Sequence, residues 1–148
     1  MAALRARATV SETGESAYAV RIQTSGHAFT GDEAVAAGGG GLGPAPFELL
    51  SAALAECTAM TIRWYARQQA WPLEQVEVAV DYSKKLFAGA SAPVDVFEKT
   101  IVLRGPALTE DQRAKLLDIA GKCPVQRTLE GGPTILTVVS ASLDQVPG

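Results

Sequence analysis

Cysteine and histidine are scarce in this sequence, which has two cysteines and one histidine in 148 residues. Two thiols cannot form a four-thiolate zinc site, and one imidazole cannot complete a site of two cysteines and two histidines. Two cysteines are also too few to hold a small secreted fold together by disulfides. The composition therefore predicts neither a structural zinc site nor a disulfide scaffold, and we expect no bound metal.

Long apolar runs and an excess of positive charge are also missing. No stretch reaches the roughly 18 apolar residues of a membrane-spanning helix, and the start Met-Ala-Ala-Leu-Arg-Ala-Arg lacks the apolar core of a secretion signal. Lys and Arg number 13 against 16 Asp and Glu, for a net charge of -3, whereas phosphate contacts need basic residues in excess. We therefore expect one cytoplasmic domain over residues 1–148 that binds neither membrane nor nucleic acid.

The sequence of the first third of the chain predicts short strands followed by a loop. Apolar and polar residues alternate over Leu4–Val10 and Ala17–Thr24, which predicts two strands, and His27–Phe29 predicts a short third strand. Residues 34–46 contain four consecutive glycines and predict a flexible loop. That loop lacks the Lys-Ser/Thr ending of a phosphate-binding loop, so we expect no nucleotide site.

A long central helix is predicted from Phe47 to Gln69, because Pro46 suits a first helical turn and apolar residues then recur at three- and four-residue intervals. The residues on this predicted apolar face are Leu50, Ala53, Leu54, Cys57, Thr61 and Trp64.

The second half predicts a hairpin, a helix and a last strand. Val76–Asp81 and Val96–Arg104 are the hairpin strands, Thr109–Gln112 is a capping box that opens a helix, and Thr134–Leu143 is the last strand. The order β-β-(β)-α-β-β-α-β predicts an α+β fold with a mainly antiparallel sheet.

The two cysteines lie in different local settings. Cys57 is in the middle of the apolar face, where a thiol is often a small buried hydrophobe and becomes reactive only beside a cation or a donor. Cys123 precedes Pro124, which can start a short helical turn with Cys123 near its N-cap. Free amide hydrogens there would stabilise a thiolate, although an ordinary loop cysteine fits the local sequence equally well.

Two segments around these cysteines resemble one known family. They are Gly43-Pro-Ala-Pro-Phe-Glu-Leu-Leu50, continued by Ala52–Thr61 around Cys57, and Lys122-Cys-Pro-Val-Gln-Arg-Thr-Leu129. Both resemble the OsmC/Ohr family of bacterial thiol-dependent hydroperoxide reductases, and the element order agrees. The resemblance implies an intertwined homodimer in which two long central helices pack together, wrapped by sheets from both chains.

The chemistry implied by this resemblance is reduction of organic or inorganic hydroperoxides in stress defence. Cys57 would be the peroxidatic thiol and Cys123 the resolving thiol, with a dithiol, for example of lipoyl type, as the reductant. No metal, haem or flavin is implied.

Two positions depart from the family pattern. Family peroxidases place a glutamate directly after the proline before the helix, where this chain has Phe47 with Glu48 following. They also use an arginine to stabilise the thiolate, and this chain has none between Arg21 and Arg63. Glu48 is therefore the candidate substitute for the glutamate, and Arg127 beside Cys123, or Arg21, for the arginine, with no motif that assigns either; a glutamate in a first helical turn also suits the helix dipole. The alternative function is a non-catalytic dimer that binds a small molecule or responds to redox state.

Overall fold

A computed structural model describes residues 4–145 of the chain. Its helices and strands confirm the predicted α+β class, and the chain divides into two compact units, one made of the residues up to Pro46 and from Thr134 onward and the other of Phe47–Pro133. Among the described residues, no helix is both long and apolar enough to cross a bilayer.

The first unit contains a three-stranded antiparallel sheet in the order β1-β2-β3. Its strands are β1 (Thr9–Glu12), β2 (Val20–Thr24) and β3 (His27–Gly31), so the short third strand predicted from His27 is confirmed. The first predicted strand is shifted: pairing with β2 begins at Thr9 rather than at Leu4.

A buried carboxylate, Asp32, organises the glycine-rich loop after β3. It accepts hydrogen bonds from the Ser16 hydroxyl at 2.9 Å and from the backbone N–H groups of Glu33, Gly40 and Leu42 at 2.8, 3.0 and 3.3 Å. Burial disfavours the charged carboxylate, but these donors outweigh burial and hold the pKa of Asp32 below its ordinary value. The loop predicted as flexible is thus held by hydrogen bonds to the Asp32 side chain.

The second unit is built around the long helix α1 (Pro46–Gln68), close to the predicted bounds. Strands β4 (Gln75–Lys85) and β5 (Val94–Arg104) form the predicted antiparallel hairpin, and helices α2 (Glu110–Ala120) and α3 (Pro124–Gly131) follow. The capping box at α2 is confirmed, because the Thr109 side chain accepts the Gln112 N–H and the Gln112 side chain accepts the Thr109 N–H.

The buried stripe of α1 repeats every four residues, at Leu54, Thr58, Ile62 and Ala66. The buried stripe is rotated around the helix axis relative to the face predicted from sequence. Cys57 therefore lies at the margin of the stripe, and Trp64 is exposed. The core of this unit joins α1 to α2 and to the segments that flank the hairpin; its buried members are Ile62, Ala66, Leu73, Leu108, Leu116 and Ala120.

The predicted last strand, Thr134–Leu143, is wrong for the chain as described. Residues 132–140 form no regular secondary structure, and Leu143 belongs to a short 3-10 turn, Leu143–Gln145. A strand needs a neighbouring backbone to complete its hydrogen bonds, and no described residue pairs with this segment. Its apolar side chains Ile135, Leu136, Val138 and Val139 are between 76% and 99% exposed.

Candidate active site

The site is built at the N-terminus of α3, where Cys123 is the N-cap. The Cys123 Sγ accepts the backbone N–H of Gln126 at 3.3 Å, as a serine or aspartate oxygen does in an ordinary cap. Pro124 at the first helical position has no N–H to satisfy. The predicted helical turn after Cys123 is therefore confirmed.

Cys57 of α1 shares the same helix end. The backbone N–H of Val125, the position between Pro124 and Gln126, acts to lower the pKa of Cys57, and the two thiols lie close enough that each shifts the pKa of the other. The structure brings together the two thiols, which lie 66 positions apart in the sequence, and both are free.

The two thiols differ in exposure. Cys123 is completely buried, whereas Cys57 is half-buried and lines a surface depression of about 590 Å³. The walls of this depression are mainly apolar, and a small molecule entering it contacts Cys57 before Cys123. The lining residues are Ala53, Glu56, Cys57, Met60, Thr61, Trp64, Lys122, Pro124 and Val125.

A lysine lies behind the buried thiol. Lys99 of β5 is half-buried, and its Nζ donates to Thr58 Oγ1 at 3.3 Å, to the Ala120 carbonyl at 2.7 Å and to Gln126 Oε1 at 2.6 Å. Thr58 is completely buried on α1, one residue after Cys57. Sequence reasoning missed both Lys99 and Thr58 as members of the site.

The model of the OsmC-like protein family matches residues 38–138, which contain both cysteines. The chain belongs to this family. The resemblance seen in the cysteine motifs is thereby confirmed.

Solved structures share this OsmC-like fold at low sequence identity. An OsmC-like protein of Mycoplasma pneumoniae is 17% identical with a TM-score of 0.70, and the match covers 87% of this chain and 89% of that one. An organic hydroperoxide resistance protein of Legionella pneumophila is 21% identical with a TM-score of 0.61, covering 88% and 93%. The organic hydroperoxide resistance protein OhrB of Bacillus subtilis is 21% identical with a TM-score of 0.58, covering 87% and 93%. No curated protein matches the sequence significantly.

In this OsmC-like protein, the pKa of Cys57 lies above its ordinary value. Burial is the main cause, and hydrogen bonding to Cys123 and the negative charge on that sulfur add to it. The Val125 N–H and the Thr61 hydroxyl act in the opposite direction but do not offset these effects. Cys57 therefore holds its proton more tightly than a free cysteine.

The pKa of Cys123 lies below its ordinary value, although burial opposes ionisation. The N–H of Gln126 is the strongest counteracting donor, followed by the Thr58 hydroxyl, the Cys57 thiol and the positive charge of Lys99. Their surroundings thus shift the two thiols in opposite directions and favour ionisation of Cys123 over that of Cys57.

Of the other two candidate residues of this OsmC-like chain, Glu48 lies apart from the thiols, and Arg127 is in the first turns of α3, where its backbone N–H donates to the Cys123 carbonyl at 3.1 Å. Glu48 is in the first turn of α1, about 13 Å along the helix axis from Cys57, and lines a different depression with Phe47 and Tyr82. The Arg127 side chain is exposed and makes no hydrogen bond or ion pair within residues 4–145. No group of three or more His, Cys, Asp and Glu side chains among those residues is arranged to hold a metal ion.

Proposed function

We propose that this OsmC-like protein is a thiol-dependent peroxidase that reduces hydroperoxides, with Cys57 as the attacking thiol and Cys123 as the resolving thiol. The observations that support the proposal are two free thiols, each of which shifts the pKa of the other, and a half-buried Cys57 that lines an apolar depression. A peroxide can meet Cys57 there, while Cys123 stays in reach of the product.

The first step oxidises Cys57. Its thiolate attacks the distal oxygen of a hydroperoxide ROOH, so that an S–O bond forms, the O–O bond breaks, and the alkoxide leaves as ROH after taking a proton. Cys57 is now a sulfenic acid. The apolar walls, including Met60 and Trp64, favour a hydroperoxide whose R group is apolar.

The second step forms the disulfide. The Cys123 sulfur attacks the Cys57 sulfur, the S–S bond forms, the S–O bond breaks, and hydroxide leaves as water with one proton. A dithiol reductant, for example of lipoyl type, then returns both cysteines to thiols and is itself oxidised to a disulfide. Free paired thiols of this kind suit a reducing compartment such as the cytoplasm.

The wild-type protein tests this function by thiol counting. Reduced protein treated anaerobically with cumene hydroperoxide is expected to lose both thiols and to release one equivalent of cumyl alcohol, with Cys57 and Cys123 joined in one peptide pair by mass spectrometry. Thiols that survive an excess of several hydroperoxides would contradict the proposal and favour a non-catalytic, small-molecule-binding dimer.

We also propose that the protein is a homodimer. The segment around Ile135–Val139 has a composition typical of strands but is exposed and unpaired in the described chain, and α1 exposes Met60 and Trp64, each about 60%. Exposed apolar side chains such as these, considered in each unit by itself, are typical of a protein interface. A second copy of the chain would complete the hydrogen bonds of the segment and cover it.

Sedimentation at micromolar concentration is expected to show a dimer, and Val139→Asp is expected to weaken association at least about tenfold, because a carboxylate would be buried at the interface. The neighbouring Ser140→Asp is the control for added charge. A wild-type monomer at high micromolar concentration would contradict the proposal.

A further inference from the structure

Lys99 occupies a position at which the strand pattern requires an apolar residue. In β5 the alternate residues Phe97, Ile101 and Leu103 face the core side and are partly buried, and Lys99 belongs to this same series. Its ammonium group is consequently drawn inward, where removal from water is costly unless the charge is compensated.

The compensation does not come from a carboxylate. The three acceptors of Lys99 are a hydroxyl, a backbone carbonyl and a side-chain amide, all neutral. Every ion pair found within residues 4–145 involves other lysines or Arg104. Lys99 has no carboxylate among its direct partners in residues 4–145, so its charge can also act on another ionisable group nearby.

Two residues connect Lys99 to such a group. Thr58 accepts from Lys99 through Oγ1 and has its hydroxyl in reach of the Cys123 sulfur. Gln126 accepts from Lys99 through Oε1 and donates its backbone N–H to the same sulfur. Cys123, completely buried, is therefore reached from the cation through both a hydroxyl and an amide.

We propose that Lys99, acting through Thr58 and Gln126, holds Cys123 as a buried thiolate, so that the negative charge of the reduced thiol pair rests on the buried sulfur and Cys57 carries the proton. Lys99 is a positioning residue in this arrangement, because it touches neither sulfur among its hydrogen-bonded partners.

The Thr58 hydroxyl can respond to the charge on Cys123. It has one proton, which it donates to the Leu54 carbonyl at 2.8 Å, and its presence lowers the pKa of Cys123. A thiolate attracts that proton, whereas a Cys123 thiol can itself donate to Thr58 Oγ1. The hydroxyl thus accommodates both protonation states of the sulfur without a buried unpaired group.

The surrounding ionisable groups act from two sides. Cys57 and Lys122 line the depression on the substrate side. Asp95, Lys99 and Glu130 line a second depression, and Glu130 accepts a hydrogen bond from the Gln126 side chain at 2.6 Å. The carboxylates disfavour a thiolate at Cys123 and the lysines favour it. Lys99 is the cation that donates hydrogen bonds to both Thr58 and Gln126.

This charge placement also predicts which sulfur gives and which takes the proton in each step of the reaction. The prediction rests on the proposed peroxidase function. Cys123 takes the proton of Cys57, which produces the attacking Cys57 thiolate. When Cys123 then attacks the sulfenic acid, that same proton leaves with the hydroxide as water, so that one proton serves both steps.

Carbon-13 chemical shifts of labelled cysteine Cβ atoms, followed through pH in the reduced protein, test the charge placement without any peroxide. Cys123 is expected to ionise at lower pH than Cys57. Lys99→Met is expected to move the Cys123 transition to higher pH and to lower its thiolate fraction at pH 7 about tenfold. Thr58→Val, which keeps the charge, is expected to shift the transition in the same direction by less.

Lys115→Met serves as the control, because Lys115 is an exposed lysine paired with Asp118.

For the reaction itself, Lys99→Met is expected to slow disulfide formation about tenfold at pH 7. The rate is expected to recover at high pH, a rescue that a purely structural defect would not show. Ionisation of Cys57 before Cys123, or a Cys123 transition unmoved in both variants, would overturn the inference. Loss of peroxide activity with the expected titration order would instead refute only the proposed function.

Discussion

Replacement of Cys57 by serine is expected to lower hydroperoxide turnover at least ~10³-fold, because a serine hydroxyl remains protonated at neutral pH and is a poor nucleophile toward peroxide oxygen. The side chain is nearly the same size, so the apolar depression is preserved. Steady-state consumption of cumene hydroperoxide with a dithiol reductant measures the loss. Turnover at the wild-type rate in Cys57→Ser would exclude Cys57 as the attacking thiol.

Cys123→Ser is the matched variant for the second thiol. Serine is a good N-cap and can accept the Gln126 N–H in place of the sulfur, so α3 is expected to keep its start. Cys57 should then be oxidised once and stop as a sulfenic acid, trapped by dimedone and identified by mass. A disulfide-linked intermediate in this variant would show that another thiol resolves Cys57.

Leu116→Ala is expected to lower the free energy of unfolding by about 2–5 kcal/mol, because it removes a side chain that is completely buried in the core of the second unit. The adjacent Leu117 is 51% exposed, and Leu117→Ala is expected to cost less than about 1 kcal/mol. Urea denaturation of both variants measures the difference. Equal losses would contradict the assignment of the core to the α2 face that bears Leu116.

Features set by local rules were predicted well from the sequence. The capping box at Thr109 and Gln112 depends on residues three positions apart. The helix that starts at Pro124, with Cys123 as its cap, follows from the missing proline N–H and the free amides after it. Both depend on neighbours in the chain, and such contacts can be inferred without the tertiary structure.

The polar surroundings of the thiols could not be found in the same way. Lys99, Thr58 and Gln126 come from β5, α1 and α3, and only the packed structure shows that they meet. One sequence signal was nevertheless available: Lys99 interrupts the alternate apolar residues Phe97, Ile101 and Leu103. An inward lysine on an otherwise apolar strand face indicates a functional or compensated charge.

The last strand was predicted from composition, and composition does not supply a pairing partner. Residues 134–140 are rich in threonine, isoleucine, leucine and valine, yet they form no ladder with the described residues. Propensity describes how well a side chain fits a pleated surface, whereas a strand forms only when a neighbouring backbone completes its hydrogen bonds.

The sulfur cap of α3 has a consequence for the energy of the disulfide. In the reduced pair, Val125 and Gln126 donate to sulfurs that can carry negative charge, and Lys99 lies behind them. A disulfide sulfur is neutral and a weak acceptor, so oxidation gives up much of this stabilisation. Stabilising the reduced form raises the reduction potential of a cysteine pair. We therefore expect a dithiol to reopen the disulfide of this protein readily.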